Sequence, residues 1–377
     1  MTAATVQPRV SDEKRVTWAE LFFDLVFVFA VTRAAQLLHA DHSALGVVRA
    51  LVAFVPLYWI WVGNTIHANL HDVDTDRDRI GMFAVGLCSL LLAVALPQAY
   101  EGLGVLFGAS YWVARLILVA LVSGRDYRKG FLSFTVAATV TGPLMVVGGL
   151  LQGDVRLGIW TLAAAIDLSV PWFARRRLAD SPFRPDHLTE RFGTFIIIAL
   201  GETVVATAAG AESVDAWHLV GLMVAFVIAC ALWWVYFAYS PDVIRGELES
   251  RSARIEVIRP VLSYGHLALV SGIVAFAAAV GRVVADPLEP LPRDTASLLF
   301  GGAALYLATF VFTRWRLFHT VGVPRLVAAL VCLGLIAVGT TVPAVAAAAV
   351  LAVLLIVLNL VERKVFPKTL HPGRPTS

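Results

Sequence analysis

Residues 17–30 read TWAELFFDLVFVFA, and the apolar character continues to residue 39. Crossing the hydrocarbon layer of a bilayer takes about 20 mostly apolar residues in a helix, because lipid offers no partner to an unpaired backbone group. A short basic segment precedes the run, as in a signal peptide, but Glu20 and Asp24 interrupt it and no small-residue cleavage site follows. The stretch therefore predicts a retained first transmembrane helix.

Eleven further apolar windows of near-spanning length follow along the chain. They lie at residues 45–68, 80–97, 104–122, 131–151, 157–174, 187–210, 217–240, 261–284, 295–313, 325–342 and 344–361. The 377 residues are 59% hydrophobic and 15% charged, with a mean hydropathy of +0.78, a balance that excludes a soluble domain. The sequence predicts an all-α integral membrane protein with about twelve transmembrane helices.

Lys and Arg residues cluster in every second segment between these windows. The basic segments contain Arg9, Lys14 and Arg15; Arg77 and Arg79; Arg125, Arg128 and Lys129; Arg175, Arg176, Arg177 and Arg184; Arg245, Arg251, Arg254 and Arg259; Arg314 and Arg316; and Arg363, Lys364, Lys368 and Arg374. The intervening loops hold only Arg156, Arg282 and Arg293. Since cytoplasmic loops carry the excess of positive charge, the N-terminus and the C-terminus are both predicted to be cytoplasmic. This distribution also accounts for the net charge of +3 without a nucleic-acid partner.

A weak internal repeat divides the chain into two halves. Leu106-Phe107-Gly108 and Tyr111 recur as Leu299-Phe300-Gly301 and Tyr306, Trp59 and Trp61 match Trp233 and Trp234, and Asp167 matches Asn359. Two parallel six-helix repeats would be related by an axis along the membrane normal, as in many transporters. The predicted divisions are a cytoplasmic N-terminal tail (1–16), a first six-helix half (17–174), a cytoplasmic linker (175–186), a second six-helix half (187–361) and a cytoplasmic C-terminal tail (362–377).

Charged residues inside the predicted helices are the candidates for function, because each costs about 2.5 to 3.5 kcal/mol to insert and usually faces the bundle interior. Glu20 and Asp24 lie four residues apart on one face of the first helix. Glu20 also has the capping-box spacing from Thr17, so a purely structural role at the helix start is an equal alternative. Asp24 lies about 10 Å from the helix start, beyond the reach of a cap, and is predicted to bind an ion or solute.

The seventh window contains Glu190, Arg191 and Glu202. Glu190 and Arg191 belong either to a binding site or to a hydrated helix start. Glu202 lies about 22 Å along the helix, where its carboxyl group needs a partner or a proton. Arg191, eleven residues earlier, lies on nearly the same face of the helix. Gly201 beside it predicts a close helix approach. Glu202 is therefore the strongest candidate, with an interhelical hydrogen bond as the alternative.

Asp167 lies four residues before Pro171 in the sixth window, where a proline weakens the helix ladder. It either lines a pathway or forms a salt bridge with Arg115 or Arg191. His67 and His71 have a spacing that can bind a metal, but no Glu of a His-Glu-x-x-His motif accompanies them, so a hydrated helix end is favoured and no metal site is predicted. No catalytic residue and no cofactor is predicted either, since no nucleotide-binding loop or nucleophile elbow occurs.

The run from Trp18 to Ala30 and the run from Glu190 to Thr203 together resemble the low temperature requirement A family. The resemblance covers nearly the whole chain, from about Arg15 to Arg363. It implies a bacterial inner (plasma) membrane protein from a family that is named after a requirement for growth in the cold and has no established biochemical activity. Glu20, Asp24, Glu190, Arg191, Gly201 and Glu202 match its signature positions.

The leading functional hypothesis is a secondary transporter or an ion or proton pathway. Asp24 and Glu202, assisted by Glu190, Arg191 and Asp167, would bind a cation, a proton or a polar solute between the two halves. Glu20 is a further candidate residue of this pathway. The second hypothesis is a non-transporting membrane protein for cold or stress adaptation whose buried charges pair helices. The third is an intramembrane enzyme acting on lipid substrates. A transporter is favoured over an enzyme. The predicted partners are the lipid bilayer and a small ion or polar solute, and no nucleic acid.

Overall fold

A computed structural model describes residues 14–123, 131–173, 183–211, 215–238, 240–250 and 258–365, and the described chain is all helical. Its twelve long helices, numbered in chain order, are α1 (Trp18–Ala40), α2 (Ala44–Leu70), α3 (Asp76–Ala95), α4 (Gly104–Val122), α5 (Leu132–Leu150), α6 (Gly153–Phe173), α7 (Pro185–Ala209), α8 (Ala216–Phe237), α9 (Arg259–Ala285), α10 (Arg293–Phe318), α11 (Val323–Gly339) and α12 (Ala344–Val365). A short helix, Ser240–Ser250, packs against α7. The predicted fold class is confirmed, and each of the twelve windows corresponds to one helix.

Within the described residues, ten helices have the length and hydropathy needed to cross a membrane. The remaining two long helices are α6, which contains Asp154, Arg156 and Asp167, and α11, which has only 17 residues. Large apolar side chains cover the outside of the bundle, including Leu25 at 61% and Val353 at 59% exposure. An apolar exterior of this kind needs a lipid solvent, so the chain is a multi-pass membrane protein.

The helices of the first six and of the last six contact one another in the same order. In the first set α1 contacts α2 and α3, and the contacts continue from α3 to α4, from α4 to α5, from α5 to α6 and from α2 to α6. In the second set α7 contacts α8 and α9, followed by α9 with α10, α10 with α11, α11 with α12 and α8 with α12. The two sets meet where α1 and α2 pack against α7 and α9.

Helices α1 and α7 run side by side in the same direction. Glu20 of α1 contacts His187 near the start of α7, Phe27 contacts Phe195, and Thr32 contacts Glu202 farther along. Contacts that advance along both helices together require a parallel pair. The α1–α7 seam defined by these contacts carries most of the candidate residues.

Several basic residues used in the topology prediction lie outside the described part of the chain. They are Arg9, Arg125, Arg128, Lys129, Arg175, Arg176, Arg177, Arg251, Arg254, Lys368 and Arg374. Most of the predicted N-terminal tail, linker and C-terminal tail lies there as well. The cytoplasmic placement of both termini therefore stays a prediction, as does the division into two repeats.

Candidate functional site

Arg191 of α7 lies between two acidic residues of α1. Its Nη1 donates to Asp24 Oδ2 at 2.5 Å and to the backbone carbonyl of Glu20 at 3.1 Å, and its Nε lies 3.5 Å from Glu20 Oε2. Arg191 and Glu20 are fully buried and Asp24 is 2% exposed. The predicted face of α1 therefore meets the predicted face of α7, and a single guanidinium serves both carboxylates.

The two carboxylates also accept hydrogen bonds from side chains other than Arg191. Trp61 Nε1 of α2 donates to Asp24 Oδ1 at 2.8 Å. His187 Nε2 lies 2.9 Å from Glu20 Oε2, while His187 Nδ1 lies 3.2 Å from the Nδ2 of Asn69. The amide of Asn69 donates to Nδ1, so the network assigns the His187 proton to Nε2, which donates to Glu20. Neither carboxylate is left without compensation, as expected for charges buried in a membrane protein.

Glu20 also closes the N-terminal end of α1. The Thr17 amide donates to Glu20 Oε1 at 3.2 Å, and the Glu20 amide donates to Thr17 Oγ1 at 3.3 Å. This reciprocal pair is the capping box that the spacing of the two residues predicted. The structural role of Glu20 is confirmed, and its ion pairing with Arg191 is additional to it.

Polar contacts cover the cluster at the end where α1 and α7 begin. Lys14 Nζ donates to the carbonyls of Ala68 and His71 at the C-terminal end of α2. Burial lowers the pKa of Lys14 below its ordinary value. Asn69 exchanges two hydrogen bonds with the backbone of Arg184, at 2.8 and 3.0 Å. The segments that precede α1 and α7 are thus tied to the end of α2 above the Arg191 cluster.

Glu202 lies farther along the same seam, eleven residues after Arg191, or about 16 Å at 1.5 Å per residue. It is 5% exposed, and its Oε2 accepts a hydrogen bond from the hydroxyl of Thr32 of α1. No cation pairs with it within the described residues. The predicted close approach at Gly201 is wrong, because a Cβ there would meet no atom within 4 Å and the residue faces outward.

An aromatic layer separates Glu202 from the Arg191 cluster. Phe195 lies 4.4 Å from Trp61 and 6.1 Å from Phe27, measured between ring centroids. Tyr58 packs edge to face on Phe195 at 5.6 Å. All four side chains are buried. The seam therefore has two polar levels with an apolar level between them.

Asp167 belongs to a different network inside the first six helices. It accepts hydrogen bonds from Tyr111 and, at 2.9 Å, from Thr141, and Arg115 Nη2 lies 3.4 Å away. Thr141 ends a π-helical turn, Ala137–Thr141, within α5. Such turns insert one residue into a helix and often occur at functional sites. Of the two partners considered for Asp167, the structure places Arg115 beside it.

The predicted site residues thus do not form one constellation. Glu20, Asp24 and Arg191 lie together, Glu202 and Asp167 lie in two other places, and the side chain of Glu190 is exposed. Sequence reasoning did not assign the hydrogen bonds that the carboxylates accept from Trp61, His187, Tyr111 and Thr32. Polar aromatic and hydroxyl residues within apolar windows were the available signal, but their partners depend on helix packing.

The second six helices contain a partly buried ion pair that the sequence analysis also overlooked. Arg325 of α11 binds Glu362 of α12 through two parallel hydrogen bonds, from Nε to Oε1 at 2.5 Å and from Nη2 to Oε2 at 2.8 Å.

Near the end of α2, His67 Nε2 lies 3.5 Å from Asp78 Oδ1. The described part of the chain contains no group of three or more His, Cys, Asp or Glu side chains that could hold a metal ion.

The sequence profile of the bacterial low temperature requirement A proteins matches residues 15–360. The chain belongs to this family, LtrA. An uncharacterized protein of Rhizobium meliloti (strain 1021) is 28% identical over 316 residues, which cover 79% of this chain and 76% of the relative. No solved structure matches the chain. The resemblance predicted from the two signature runs is therefore confirmed, and these runs form the α1–α7 seam.

Proposed function

We propose that this LtrA protein is a secondary transporter or ion pathway of the bacterial inner membrane in which Glu202 binds and releases a proton. The observation that carries the proposal is the environment of the Glu202 carboxylate, which is buried in a transmembrane helix with the Thr32 hydroxyl as its partner. An ionised carboxylate with so little compensation is costly inside a bilayer. Protonation removes that cost, so the charge of Glu202 depends on access to water or to a cation.

The position of the Arg191 cluster supports a pathway along the α1–α7 seam. Asp24 and Arg191 form the second polar level, separated from Glu202 by the aromatic layer around Phe195. Two polar levels on either side of an apolar barrier suit a protein that admits an ion or polar solute from one side at a time. Movement of α1 against α7 would be required to connect them, and Arg191 would act as the internal counter-ion while Asp24 exchanges partners.

Two structural features support the proposed six-plus-six repeat on which this pathway depends. The matching order of helix contacts in the two halves is what a repeat requires, and the parallel run of α1 and α7 fits an axis along the membrane normal. Binding between repeats is common in secondary transporters, and the α1–α7 seam is where the proposed halves meet. With six spans per half, both termini would lie on the same side, which the basic loops predict to be the cytoplasmic side.

Reconstitution into liposomes with an internal pH dye tests the role of Glu202. Proton movement is followed after imposing a membrane potential in sodium or potassium medium, with sodium- and potassium-sensitive dyes in parallel. We expect flux from the wild-type protein and at least a tenfold loss in Glu202→Gln, which cannot exchange a proton. Glu101→Gln is the matched control, because Glu101 is exposed in the loop before α4. Glu190→Gln shows in the same assay whether that exposed signature residue contributes.

A wild-type protein that moves no proton, sodium or potassium above protein-free liposomes would contradict the proposal. Equal flux in Glu202→Gln and Glu101→Gln would contradict it as well.

The alternative of a non-transporting membrane protein is favoured by one observation. Asp24, Glu20 and Asp167 each have a basic residue beside them and several hydrogen bonds, as expected for charges that only join helices. This alternative predicts that Asp24→Asn lowers stability without changing any flux, and that Glu202→Gln raises stability because it removes a poorly compensated charge. Thermal unfolding of the two variants in detergent, beside the flux assay, separates the two functions.

A further inference from the structure

Two adjacent polar residues of α2 are fully buried in the bundle and have no role in the proposed function. Asn64 and Thr65 both have 0% exposed surface. Asn64 Nδ2, Asn64 Oδ1 and Thr65 Oγ1 have no hydrogen-bond partner among the described residues. Nearly all buried polar groups of proteins are hydrogen-bonded to the protein or to ordered water, and an unpaired one costs free energy. The three atoms therefore point to a polar ligand.

Thr65 differs from other buried threonines of the helices. The Thr207 hydroxyl donates to the Thr203 carbonyl at 2.6 Å, and the Thr309 hydroxyl donates to the Leu305 carbonyl at 2.7 Å. A hydroxyl inside a helix commonly bonds in this way to the carbonyl four residues earlier. Thr65 makes no such bond within the described chain, so its hydroxyl is free to bind a ligand.

Thr65 lies on the face of α2 that packs against α7. Along this face, Trp61 packs on Phe192 with ring centroids 5.0 Å apart, and Asn69 contacts His187. Thr65 is four residues from both Trp61 and Asn69, on the stripe of α2 that joins them. The Thr65 hydroxyl therefore lies between the levels of His187 and Phe192.

Arg191 offers a free donor at this level, because it lies between His187 and Phe192 in α7. Its guanidinium carbon lies 5.5 Å from the centroid of the Trp61 ring. Its Nη2 is buried and makes no hydrogen bond within the part of the chain that the structure describes. A ligand between α2 and α7 can therefore accept from Arg191 Nη2 and also bind the Thr65 hydroxyl.

Asn64 lies on the neighbouring face of α2, which packs against α3. His67, three residues after Asn64, brings its Nε2 to 3.5 Å from Asp78 Oδ1 of α3. The two helices run in opposite directions, because a short turn joins them. Met82 lies one turn farther into the bilayer than Asp78, and Asn64 lies nearly one turn farther in than His67. The Asn64 amide is therefore beside Met82, on the inner side of the contact between His67 and Asp78.

This face of α2 continues to the predicted cytoplasmic surface. His71, four residues after His67, is partly exposed, and the two rings lie 4.9 Å apart. Toward the interior, Asn64 is followed by Trp61, which donates a hydrogen bond to Asp24 at 2.8 Å. Polar side chains thus extend along α2 from the end of the helix to Asp24.

Water is the ligand that fits these atoms. The amide of Asn64 and the hydroxyl of Thr65 are neutral and can both donate and accept, whereas Arg191 Nη2 only donates. A bound cation would lie close to the Arg191 guanidinium, and a bound anion would lie close to the carboxylates of Glu20 and Asp24, so both would be repelled. A buried water molecule typically makes about three hydrogen bonds to groups of this kind.

We propose that water molecules bound by Asn64 and Thr65 form the cytoplasmic part of the proton pathway, from the end of α2 to Asp24. The delivery of protons rests on the proposed function, whereas the binding of water does not. Each water molecule accepts a proton from one neighbour and releases another to the next, so charge moves and no group is consumed. The aromatic layer closes the inner end of this route.

X-ray irradiation of the full-length protein in detergent tests for the water itself. Irradiation splits water into hydroxyl radicals, and radicals that form from a bound water molecule oxidise the side chains beside it. Met82 and Met145 are both 1% exposed, and a second pair, Trp61 and Trp160, is 0% exposed, so each pair is matched in burial. Mass spectrometry should find Met82 oxidised at least about fivefold faster than Met145, with a similar ratio for Trp61 over Trp160.

Asn64→Leu combined with Thr65→Val removes the polar atoms at nearly constant volume. In this double variant the oxidation rates of Met82 and Trp61 should fall to those of their matched residues. Thr207→Val is the control variant and should leave the rates unchanged, because the Thr207 hydroxyl already bonds to its own helix. Thr65→Val alone, judged by Trp61, repeats the test if size exclusion shows that the double variant is not folded.

The liposome assay used for Glu202 tests the role of this water in proton movement. Asn64→Leu combined with Thr65→Val should lower proton flux at least about tenfold, because no water remains to pass protons to Asp24. Asn64→Ser combined with Thr65→Ser keeps a hydroxyl at both positions and should retain most of the flux. Thr207→Val should behave as the wild-type protein does.

The two assays fail in different ways. Equal oxidation rates within both matched pairs of the wild-type protein would overturn the bound water, even if the protein moves protons. Unchanged flux in the double variant, with the difference in oxidation lost, would overturn the role of the water in the pathway. A wild-type protein that moves no proton but keeps the difference in oxidation would refute the proposed function and the delivery of protons, and would support the water site.

Discussion

The two halves of the molecule join their helices with similar polar contacts made by different residues. In the first half, Arg115 binds the Trp59 carbonyl of α2 at 3.2 Å and Asp167 of α6, and its guanidinium lies over the Tyr111 ring. In the second half, Arg325 binds the Val235 carbonyl of α8 at 3.3 Å and Glu362 of α12, and its guanidinium lies over the Phe310 ring. Each arginine thus joins a backbone carbonyl to a carboxylate.

The depth of the charge differs between the halves. Asp167 lies six residues before the end of α6, and the residue six before the end of α12 is Asn359, which is neutral and donates to the Ala231 carbonyl at 3.2 Å. Glu362 lies only three residues before the end of α12. The second half therefore forms the same helix contacts without a charge at the deeper level. Helix packing alone does not require the deeper carboxylate of the first half, since buried ion pairs seldom add net stability.

The largest effect is expected at Arg191, where the two halves meet. Arg191→Leu leaves Asp24 and Glu20 without their guanidinium, and removing one member of a buried pair costs about 3 to 5 kcal/mol. Unfolding by SDS titration in detergent micelles measures the change in the free energy of unfolding. Asp24→Asn combined with Arg191→Leu should recover part of the loss. A loss under about 1 kcal/mol in Arg191→Leu would mean that the cluster is hydrated and does not join the halves.

The next effect tests whether the deeper charge of the first half is dispensable. Arg115→Leu alone should cost about 3 kcal/mol, because Asp167 is 4% exposed and loses its cation. Adding Asp167→Asn, the residue of the second half, should recover most of that cost, since one of the Tyr111 and Thr141 hydroxyls can donate to the amide oxygen and the other can accept from the amide nitrogen. The same unfolding measurement on the two single variants and the double variant gives the coupling free energy between Arg115 and Asp167. If the losses of the two single variants simply add in the double variant, the comparison between the halves is contradicted.

A smaller effect is expected for the corresponding pair of the second half. The side chain of Arg325 is 13% exposed and its partner lies near the end of α12, so water can solvate the charge that Arg325→Gln leaves on Glu362. We expect a loss of about 1 to 2 kcal/mol, below that of Arg115→Leu. Glu362→Gln in the same titration should behave similarly. Equal losses at Arg115 and Arg325 would show that depth does not distinguish the two pairs.

The smallest effect concerns the starts of α2 and α8, which are both capped by a side chain. Ser43 accepts a hydrogen bond from the Gly46 amide, whereas Asp215 accepts from the amides of Trp217 and His218. Hydrogen bonds from His218, its side chain first, hold the pKa of Asp215 below its ordinary value. A carboxyl group with a lowered pKa stabilises the fold fully above its ordinary pKa, and that contribution is lost as the pH falls through the lowered one.

Hydrogen exchange of the two sets of cap amides checks this difference. Between pH 6 and about 3, protection at Trp217 and His218 should fall relative to protection at Gly46, because their acceptor is the Asp215 carboxylate, whereas the acceptor of the Gly46 amide is the Ser43 hydroxyl, which takes up no proton. Asp215→Asn retains a cap that does not titrate and should remove the pH dependence. A parallel decline of protection at both caps would mean that the decline comes from general unfolding in acid.

The sequence determined the membrane fold, because twelve windows of spanning length impose helices wherever lipid leaves backbone groups without other partners. It also indicated that Glu20, Asp24, Arg191 and Glu202 are charged residues within transmembrane helices, since charges in apolar runs are recognisable without knowledge of their neighbours. Local chemistry was equally predictable, as the Thr17–Glu20 capping box depends on residues three apart in one helix.

Only the tertiary structure decided which of these charges meet. Arg191 contacts Glu20 and Asp24 rather than Asp167 because α7 packs beside α1, 167 residues away in the chain. The same packing gives Glu202 a hydroxyl instead of a cation. Hydropathy depends on each residue alone. Compensation of a buried charge depends on distances of a few ångströms between side chains of different helices, and the sequence does not show which helices are neighbours.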